Sequence, residues 1–496
     1  MGMRGRRALV VGLAREGVAL AGYLARQGVR VVATDLKPPA AFGAELARLA
    51  GAGVELVLAG HPPSALDGCD IAFVSPGVPF DADFLDQARR RGIPLSTESR
   101  LFCQLCPAPI VGITGSNGKT TTATLVGEML KASGRTTWVG GNIGQPLIES
   151  VDRIGPEDQV VMELSSFQLE YFHPSANAHV MDVHPAWVPL LSGWSPHVAA
   201  VLNLTPNHLD RHPSMDAYIH AKRAIVAYRR PGEVAVLGMD DGLTRAMAEA
   251  LPGPVHWFSR LSTVDWGACL AGQGRQAAVV LRQAGREERV CAVGDIQLRG
   301  EHNLSNVLAA CTIGAAAGVP GPAMQQVSTT FGGVTHRLEW VAEVAGVQYY
   351  NDSIATSPER LVAALNSFEE PIVLLAGGRD KHLPWDEAAR LMLRRTRHVI
   401  LFGEAAGLIA QALAAAGRAT GGEAGIHRRA TLEDAVHAAA QVAHPGDVVL
   451  LSPGCTSFDA FKDFTERGER FRAAVRQLQL PGGGIPSPAY RAEMWQ

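Results

Sequence analysis

The residues best suited to chemistry form one short run, Gly115-Ser116-Asn117-Gly118-Lys119-Thr120-Thr121. Apolar residues 110–113 precede it and predict a buried strand, and a helical pattern follows it. Backbone N–H groups in such a loop, together with a helix N-terminus, bind phosphate. Lys119 has the length to reach the outer phosphates of a nucleotide, and Thr120 offers a hydroxyl to Mg²⁺. The run therefore predicts a nucleotide-phosphate site, with Asn117 taking the left-handed conformation of the turn.

The glycine spacing departs from the strict Walker pattern. That pattern has a glycine five residues before Gly118, where this chain has Ile113. The alternative interpretation is a glycine-rich turn between strand and helix that binds nothing. It does not explain why Gly118, Lys119 and Thr120 open the helix, so phosphate binding is the favoured prediction.

Further polar residues stand at places where ligands bind. Glu163 lies near the end of an apolar stretch, residues 160–164, and a carboxylate there can hold Mg²⁺ against nucleotide phosphates. His208 lies in a polar loop, and Asn303 and Asn306 lie at the start of a helix that can meet the adenine. Taken singly, each has a simpler interpretation: a polar strand end, a solvated histidine or a capped helix.

Composition excludes several classes of function. The chain has 496 residues, 47% of them hydrophobic, and a net charge of −3, which disfavours a general nucleic-acid or membrane-surface binder. No uncharged apolar run approaches the roughly 18 residues of a membrane span. Seven scattered cysteines indicate a reducing cytoplasm. Cys103 and Cys106 form a single Cys-x-x-Cys, for which ordinary packing is favoured over a metal.

Three α/β segments position these residues. In residues 1–106, a strand, a glycine-containing turn, a helix and a second strand ending in Asp35 predict a Rossmann-like sheet, and a further strand ends at Ser75. The glycine fingerprint is incomplete, because position 14 is Ala. A nucleotide-like ligand at the carboxyl edge of this sheet is expected, and a helper domain without a ligand is the alternative.

The other two segments also alternate strands with helices. Residues 107–334 predict a mainly parallel sheet, interrupted by an irregular stretch at 178–196 that has the character of a long loop or an insertion. Residues 335–496 predict a second doubly wound unit, in which Ser357 caps a helix that begins at Pro358. The tail from Pro481 is expected to be poorly ordered.

The motifs, taken in order, resemble the Mur ligase family over nearly the whole chain, and within it the branch that adds D-glutamate. Two stretches, 165–168 and 452–459, favour that branch. The motifs are Gly112 to Thr120, Gly141-Asn142-Ile143-Gly144, Glu163 to Glu170, Asn203-Leu204-Thr205, His208-Leu209-Asp210-Arg211-His212, His302-Asn303, His336-Arg337, Asn351-Asp352-Ser353 and Leu451-Ser452-Pro453.

The resemblance implies an α/β protein of three domains: a Rossmann-like domain at 1–106 for the UDP substrate, a central P-loop ATPase-like domain at 107–334 for ATP and Mg²⁺, and a Rossmann-like domain at 335–496 for the amino acid. It implies an ATP-dependent amide ligase that joins D-glutamate to UDP-N-acetylmuramoyl-L-alanine through an acyl phosphate. Only small-molecule partners are expected, with no nucleic acid and no membrane, and the chain is expected to be monomeric.

The resemblance also assigns roles to residues. Lys119, His208, Lys222 and Arg337 would be catalytic. Mg²⁺, in two sites, would be held by Thr120, Glu163, His208 and Lys222, the last as a carbamate; a lysine contacting phosphate directly is the alternative for Lys222. The nucleotide would lie against Gly115, Ser116, Asn117, Gly118, Lys119, Thr120, Thr121, Asn303, Asn306, Arg337 and Asp352. Substrates would meet Asp35, Ser75, Asn142, Ser165, Thr356, Lys381, Ser457 and Phe464, of which the last four would receive D-glutamate.

Some positions differ from the family pattern. Ile354 stands where several members have Lys. Arg15 and Glu16 replace the small or apolar residues expected in the uracil-binding loop, and Leu36 follows Asp35 where a hydroxyl residue is common. Two other functions stay open: a related ligase with a different amino acid or acceptor, such as a folylpolyglutamate synthetase, and a nucleotide-dependent regulatory protein without ligase activity.

Overall fold

The first sheet is built from short apolar strands that alternate with helices. The computed structural model describes residues 2–208, 211–420 and 424–479. The sheet is parallel, in the order β3-β2-β1-β4-β5. Its strands are β1 Arg7–Val11, β2 Arg30–Asp35, β3 Glu55–Leu58, β4 Ile71–Val74 and β5 Leu95–Ser96, and its helices are α1 Arg15–Arg26, α2 Ala44–Gly51, α3 Asp83–Arg90 and α4 Glu98–Leu105.

The second sheet has nine strands in the order β14-β13-β12-β11-β10-β9-β6-β8-β7. The strands are β6 Ile110–Thr114, β7 Thr137–Gly141, β8 Gln159–Glu163, β9 Val198–Val201, β10 Val234–Gly238, β11 Val255–Ser259, β12 Gly267–Ala271, β13 Ala278–Gln283 and β14 Arg286–Ala292. The helices are α5 Lys119–Ala132, α6 Ser166–Leu169, α7 Val188–Leu191, α8 Met215–Ala227, α9 Gly242–Ala248, α10 Glu301–Ala316 and α11 Gly321–Thr330. Parallel pairing gives way to antiparallel pairing from β12 to β14.

The third sheet has six strands in the order β15-β16-β20-β17-β18-β19 and is parallel except for the β15–β16 pair. The strands are β15 Glu339–Val344, β16 Val347–Asn351, β17 Ile372–Gly377, β18 Thr396–Phe402, β19 Gly425–Arg428 and β20 Val448–Gly454. The helices are α12 Pro358–Leu365, α13 Asp386–Arg395, α14 Ala406–Thr420, α15 Leu432–Val442 and α16 Phe464–Gln477. Among the described residues no helix is long and apolar enough to cross a bilayer.

The chain forms two compact units. One contains the residues up to Ile296 together with His302–Thr330, and the other contains Gln297–Glu301 and the residues from Phe331 onward. The first unit holds both the first and the second sheet, whose side chains share one apolar core; Phe73 on β4, for example, meets Trp187 edge to face at 5.9 Å. The boundaries at 106/107 and 334/335 remain predictions.

The mixed α/β class with mainly parallel sheets is confirmed. Residues 178–196 are largely irregular, as predicted, with only α7 as a short helix. The antiparallel hairpin of β13 and β14 was not predicted. Ser357 is the N-cap residue of α12, but its side chain makes no capping hydrogen bond. The tail from Pro481 lies outside the described residues.

Candidate active site

The phosphate loop joins β6 to α5, as the sequence predicts. Its positive φ angles fall on Gly115, at 155°, and Gly118, at 82°. Asn117 does not adopt positive φ, so the expectation for that residue is wrong. Gly118 is required for a second reason: a Cβ there would lie 2.2 Å from Asn306 Oδ1. The glycines therefore supply the turn, and Asn117 is left exposed at the tip of the loop.

The loop is held from behind by the segment that follows β9. Asn203 Oδ1 accepts a hydrogen bond from Asn117 N at 2.8 Å, and Asn203 O accepts one from Ser116 N at 2.9 Å. Ser116 Oγ donates to Thr205 O at 2.9 Å and lies 2.9 Å from Tyr218 Oη on α8. The Asn203-Leu204-Thr205 motif thus fixes the loop's shape.

Glu163, at the end of β8, is buried with only 2% of its surface exposed. Its Oε2 accepts a hydrogen bond from Thr120 Oγ1 at 2.7 Å, and its Oε1 accepts one from Asn142 Nδ2 at 2.9 Å. A carboxylate and a hydroxyl at the start of α5 are the hard oxygen ligands that Mg²⁺ prefers, and they stand where nucleotide phosphates bind. These residues fit a magnesium ion.

Two lysines converge on the same loop. Lys119 Nζ donates to Gly115 O at 2.9 Å and to Ser116 O at 3.0 Å. Lys222, on α8 and 2% exposed, donates from Nζ to Thr114 Oγ1 at 3.1 Å and to Gly115 O at 2.9 Å. Burial lowers the pKa of Lys222 well below its ordinary value, the charge of Lys119 lowers it further, and Glu163 partly opposes the shift.

The start of α10 packs against the phosphate loop. Asn306 Oδ1 accepts from Thr122 Oγ1 at 3.4 Å, and Asn306 Nδ2 donates to Asn303 Oδ1 at 3.1 Å. Both asparagines are buried, and burial lowers the pKa of the neighbouring His302. The structure thus brings the two predicted nucleotide-side asparagines to the loop.

His208 is placed differently from the other predicted metal ligands. Its backbone has a φ of 56°, and its ring lies edge to face against Phe167 with centroids 5.0 Å apart. Its neighbours Leu209 and Asp210 lie outside the described residues. In the described ranges, no three His, Cys, Asp or Glu side chains gather as a metal site. A second metal position at His208 remains a prediction.

The predicted UDP-binding residues lie at the carboxyl edge of the first sheet. Asp35 accepts from Leu13 N at 2.7 Å and from Lys37 N at 2.9 Å, and it thereby orders the turn after β1. Ser75 Oγ donates to Gly12 O at 2.6 Å. Ser165 caps α6 through a capping box with Gln168, which directs its hydroxyl at that helix.

Arg15 and Glu16 do not lie in a loop; they begin α1, and Glu16 is buried. Gln168 Nε2 donates to Glu16 Oε1 at 3.0 Å and to Ser99 Oγ at 2.8 Å, and Ser99 Oγ donates to Glu98 Oε2 at 3.2 Å. Burial raises the pKa of Glu16 to about 7 and that of Glu98 to about 8. No sequence pattern predicts this pair, because its members are distant in the chain.

In the third sheet, Asp352 follows β16. Its Oδ2 accepts from Ser452 Oγ at 3.0 Å and its Oδ1 from Leu338 N at 3.2 Å. Burial raises its pKa to about 7, while these hydrogen bonds and the charges of Arg337 and Arg360 pull the value down. Arg337 is therefore close enough to act on Asp352 electrostatically. Arg360, which no motif singled out, also donates to the carbonyl of Ile354 at 3.1 Å.

Three of the residues predicted to receive the amino acid, Thr356, Lys381 and Ser457, lie on loops at the same edge. Lys381 Nζ donates to Thr356 Oγ1 at 3.3 Å. Phe464 begins α16, and its carbonyl accepts from Ser353 Oγ at 2.7 Å. Ser457 is buried in the loop after β20. The sequence missed Arg467, a fully buried arginine on α16 that contacts these loops.

Comparisons with family models cover most of the chain. Residues 6–97 match the description "Mur ligase MurD-like, N-terminal domain", residues 113–314 match "Mur ligase middle domain", and residues 336–455 match "Mur ligase, glutamate ligase domain". The three matches follow one another along the chain in the order in which the motifs occur.

Curated relatives are similar over nearly their whole length. A UDP-N-acetylmuramoylalanine--D-glutamate ligase from Symbiobacterium thermophilum is 44% identical over 95% of this chain and 98% of its own. One of the same name from Pelotomaculum thermopropionicum is 41% identical over 96% and 98%.

Solved structures share the fold at lower identity. A MurF from Acinetobacter baumannii has a TM-score of 0.56 at 18% identity, covering 94% of this chain and 93% of its own. A UDP-N-acetylmuramate-alanine ligase from Thermotoga maritima has a TM-score of 0.54 at 18% identity, covering 96% and 99%.

Proposed function

The chain belongs to the Mur ligase family, and we propose that it joins D-glutamate to the L-alanine carboxylate of UDP-N-acetylmuramoyl-L-alanine while ATP becomes ADP and phosphate. The observation that carries this proposal is the 44% identity to a ligase of that name over 95% of the chain. The arrangement of Lys119, Glu163 and Lys222 at one loop supports it, because these groups suit phosphoryl transfer from ATP.

The reaction has two chemical steps. In the first, an oxygen of the acceptor carboxylate attacks the γ-phosphorus of ATP and ADP leaves, which gives an acyl phosphate. In the second, the D-glutamate amine attacks the carbonyl carbon, the tetrahedral intermediate expels phosphate, and the nitrogen gives up a proton. The protein must hold two anions together while it neutralises their charge.

Residues of the first unit support the first step. Lys119 and the N–H groups of the phosphate loop would hold the β- and γ-phosphates. Thr120 and Glu163 would hold Mg²⁺, which supplies positive charge to the phosphates. Asn303 and Asn306 would face the nucleoside, and Asn142, Ser165 and His208 would face the muramoyl-alanine end.

We also propose that Lys222 is carbamylated. The amine nitrogen attacks the carbon of CO₂ and loses a proton, so the side chain ends in a carboxylate. Burial leaves more of the amine neutral, which is the form that reacts with CO₂. An anion at this position would also attract Lys119 rather than repel it. With His208, the carbamate would supply the second metal site.

Residues of the second unit would serve the second step. Thr356, Lys381, Ser457 and Phe464 would receive D-glutamate, with Lys381 paired to a carboxylate of the amino acid. Arg337 and Asp352 would meet the nucleotide. The domain divisions at 1–106, 107–334 and 335–496, with UDP bound at Asp35 and Ser75, belong to the same proposal.

A monomeric state and a reducing cytoplasmic location are further parts of the proposal. The location is supported by the cysteines, all seven of which are free thiols. Sedimentation of the purified chain tests the oligomeric state.

Phosphate release from ATP tests the function. The full chain is incubated with ATP, Mg²⁺, UDP-N-acetylmuramoyl-L-alanine and one amino acid at a time. Release that requires both the acceptor and D-glutamate is expected. Release with another amino acid or with a folate would assign a different ligase, and no release with any acceptor would indicate a regulatory protein.

A further inference from the structure

Three loops meet at the carboxyl edge of the third sheet. They follow β16, β20 and β17, which are neighbours in the sheet. Gly454 N donates to Ala355 O at 2.9 Å, which ties the first loop to the second. Thr456 and Arg379 exchange two backbone hydrogen bonds, at 2.9 and 3.0 Å, which tie the second loop to the third. Thr356, Ser457 and Lys381 lie one on each loop.

Arg467 on α16 lies beneath this junction and binds two of the loops directly. Its Nε donates to Ser353 Oγ at 3.0 Å, and one of its Nη2 hydrogens donates to Ser353 O at 2.8 Å. Nη2 also donates to Cys455 O at 3.1 Å, and Nη1 donates to Thr456 O at 3.1 Å. A single guanidinium therefore fixes the distance between the loop that carries Thr356 and the loop that carries Ser457.

The third loop approaches the same group. A Cβ on Gly378 would lie 3.0 Å from Arg467 Nη1 and 2.1 Å from Thr456 O, and this glycine has a φ of 123°. Any larger residue there would push the loop that carries Lys381 away from the guanidinium. The close approach thus brings all three loops within reach of one side chain.

The charge of Arg467 is unusual for its surroundings. The side chain is 0% exposed, and all four acceptors are neutral hydroxyl or carbonyl oxygens. The carboxylates of Asp459 and Asp352 act on it only through space. A buried cation without a directly bonded carboxylate is costly, and its field extends into the loops above it. Such a field attracts an anionic ligand.

We propose that Arg467 is the positioning residue of the amino-acid site: it sets the spacing of the three loops that receive the amino acid and places a buried positive charge behind them. The ligand this arrangement suits is a dicarboxylic amino acid. The inference rests on the proposed function, since it deepens the role given there to Thr356, Lys381 and Ser457.

Arg467→Lys keeps the positive charge but removes the planar guanidinium with its several N–H donors, and Arg467→Gln removes the charge. Arg470→Lys is the matched control, because Arg470 lies on the same helix and pairs with Glu433 at 2.7 Å on the surface. Lysine cannot bridge both loops, so the KM for D-glutamate is expected to rise about tenfold in Arg467→Lys. The KM for ATP and the yield of acyl phosphate, trapped by borohydride without amino acid, should stay within about twofold of wild type.

Arg467→Gln should raise the KM for D-glutamate further and reduce the preference for D-glutamate over D-glutamine, a ligand with one charge fewer. A purely structural role would instead lower the trapped acyl phosphate and kcat together and leave the KM for D-glutamate unchanged, and that result would overturn the inference. So would an equal KM change in the Arg470→Lys control.

Ser353→Ala keeps the proposal testable if the arginine variants do not fold. It removes the hydroxyl that accepts from Nε, and with it the hydrogen bond that Ser353 Oγ donates to Phe464 O. A rise of about threefold in the KM for D-glutamate is expected; an unchanged KM would contradict the proposal. Wild-type enzyme that releases no phosphate with D-glutamate would instead show that the proposed function is wrong.

Discussion

The phosphate loop of the second sheet and the three loops proposed to bind the amino acid in the third sheet both lie at the carboxyl edge of a mainly parallel sheet. The two edges are assembled differently. The phosphate loop is one continuous run, and its cations Lys119 and Lys222 stand beside a buried carboxylate, Glu163. The residues proposed for the amino-acid site come from three loops separated by tens of positions, with a buried arginine beneath them.

This difference follows from what each edge must bind. Phosphate binding uses backbone N–H groups and a helix N-terminus, which a short contiguous segment supplies. An amino acid offers an ammonium group and one or two carboxylates pointing in different directions, so groups from separate loops must meet it. The first edge is therefore built around one short segment, which Asn203 and Thr205 hold from behind, and the second brings together three separate loops. Changes at the two edges should affect different steps of the reaction.

The largest effect is expected at the phosphate edge. Glu163→Gln keeps the size of the side chain but removes the negative charge, so the proposed Mg²⁺ site would lose an anionic ligand. Both acyl-phosphate formation and overall turnover should fall about 1000-fold. Borohydride trapping and phosphate release measure the two quantities. Glu128→Gln, on the exposed face of α5, is the control and should retain wild-type activity.

Lys222→Arg should have the next largest effect. Arginine keeps the positive charge but cannot form a carbamate, so activity should fall about 100-fold. Lys131→Arg serves as the control, since Lys131 pairs with Glu128 on the surface. A carbamate carbon signal in NMR spectra of wild-type enzyme supplied with ¹³C-bicarbonate, absent from the variant, is the direct readout. Full activity in Lys222→Arg would leave Lys222 as a plain phosphate-binding lysine.

Lys381→Met should impair the use of D-glutamate without impairing acyl-phosphate formation. It removes the cation that Thr356 holds in place, and the KM for D-glutamate should rise about thirtyfold. Acyl-phosphate formation should be unaffected, because the proposed mechanism gives this residue no role in the first step. Parallel loss of trapped acyl phosphate would mean that the third sheet also takes part in activation.

The smallest effect concerns stability rather than turnover. Burial raises the pKa of Glu16 to about 7 and of Glu98 to about 8 from 4.5, so the native protein keeps protons that the unfolded chain loses. The contribution of these two groups to the free energy of unfolding is fully present below pH 4.5 and is lost as the pH rises through about 8. The Tm should therefore fall over this interval, and Glu98→Gln should reduce the slope.

The control for that measurement is again Glu128→Gln, which should keep the wild-type slope. Burial also raises the pKa of Asp352, so the Tm of Glu98→Gln should still fall somewhat with pH. A Tm that falls with pH equally in wild type and Glu98→Gln would show that this pair is not the source.

How much the sequence predicts also differs between the two edges. The phosphate loop, Glu163, the Asn303–Asn306 pair and the sheet class were all predicted, because each depends on neighbours in the chain or on a motif. Arg467 and the Glu16–Glu98 pair were not, because their roles come from contacts between distant segments. Asn117 was assigned the wrong conformation, since Gly115 and Gly118 already provide the positive φ angles. The hydrophobic periodicity of the sequence also did not predict strands β13 and β14, which form an antiparallel hairpin at the sheet edge.

In the proposed reaction, the phosphate edge transfers the γ-phosphoryl group to the acceptor carboxylate, and the amino-acid edge then brings the amine of D-glutamate to the acyl phosphate. The most direct test uses UDP-N-acetylmuramoyl-L-alanine with ¹⁸O in its alanine carboxylate, turned over with ATP and D-glutamate. We predict that each released phosphate carries one oxygen from that carboxylate, measured by mass spectrometry. Phosphate without the label would mean that the γ-phosphoryl group passes to water or to the protein, which would contradict the proposed acyl-phosphate mechanism.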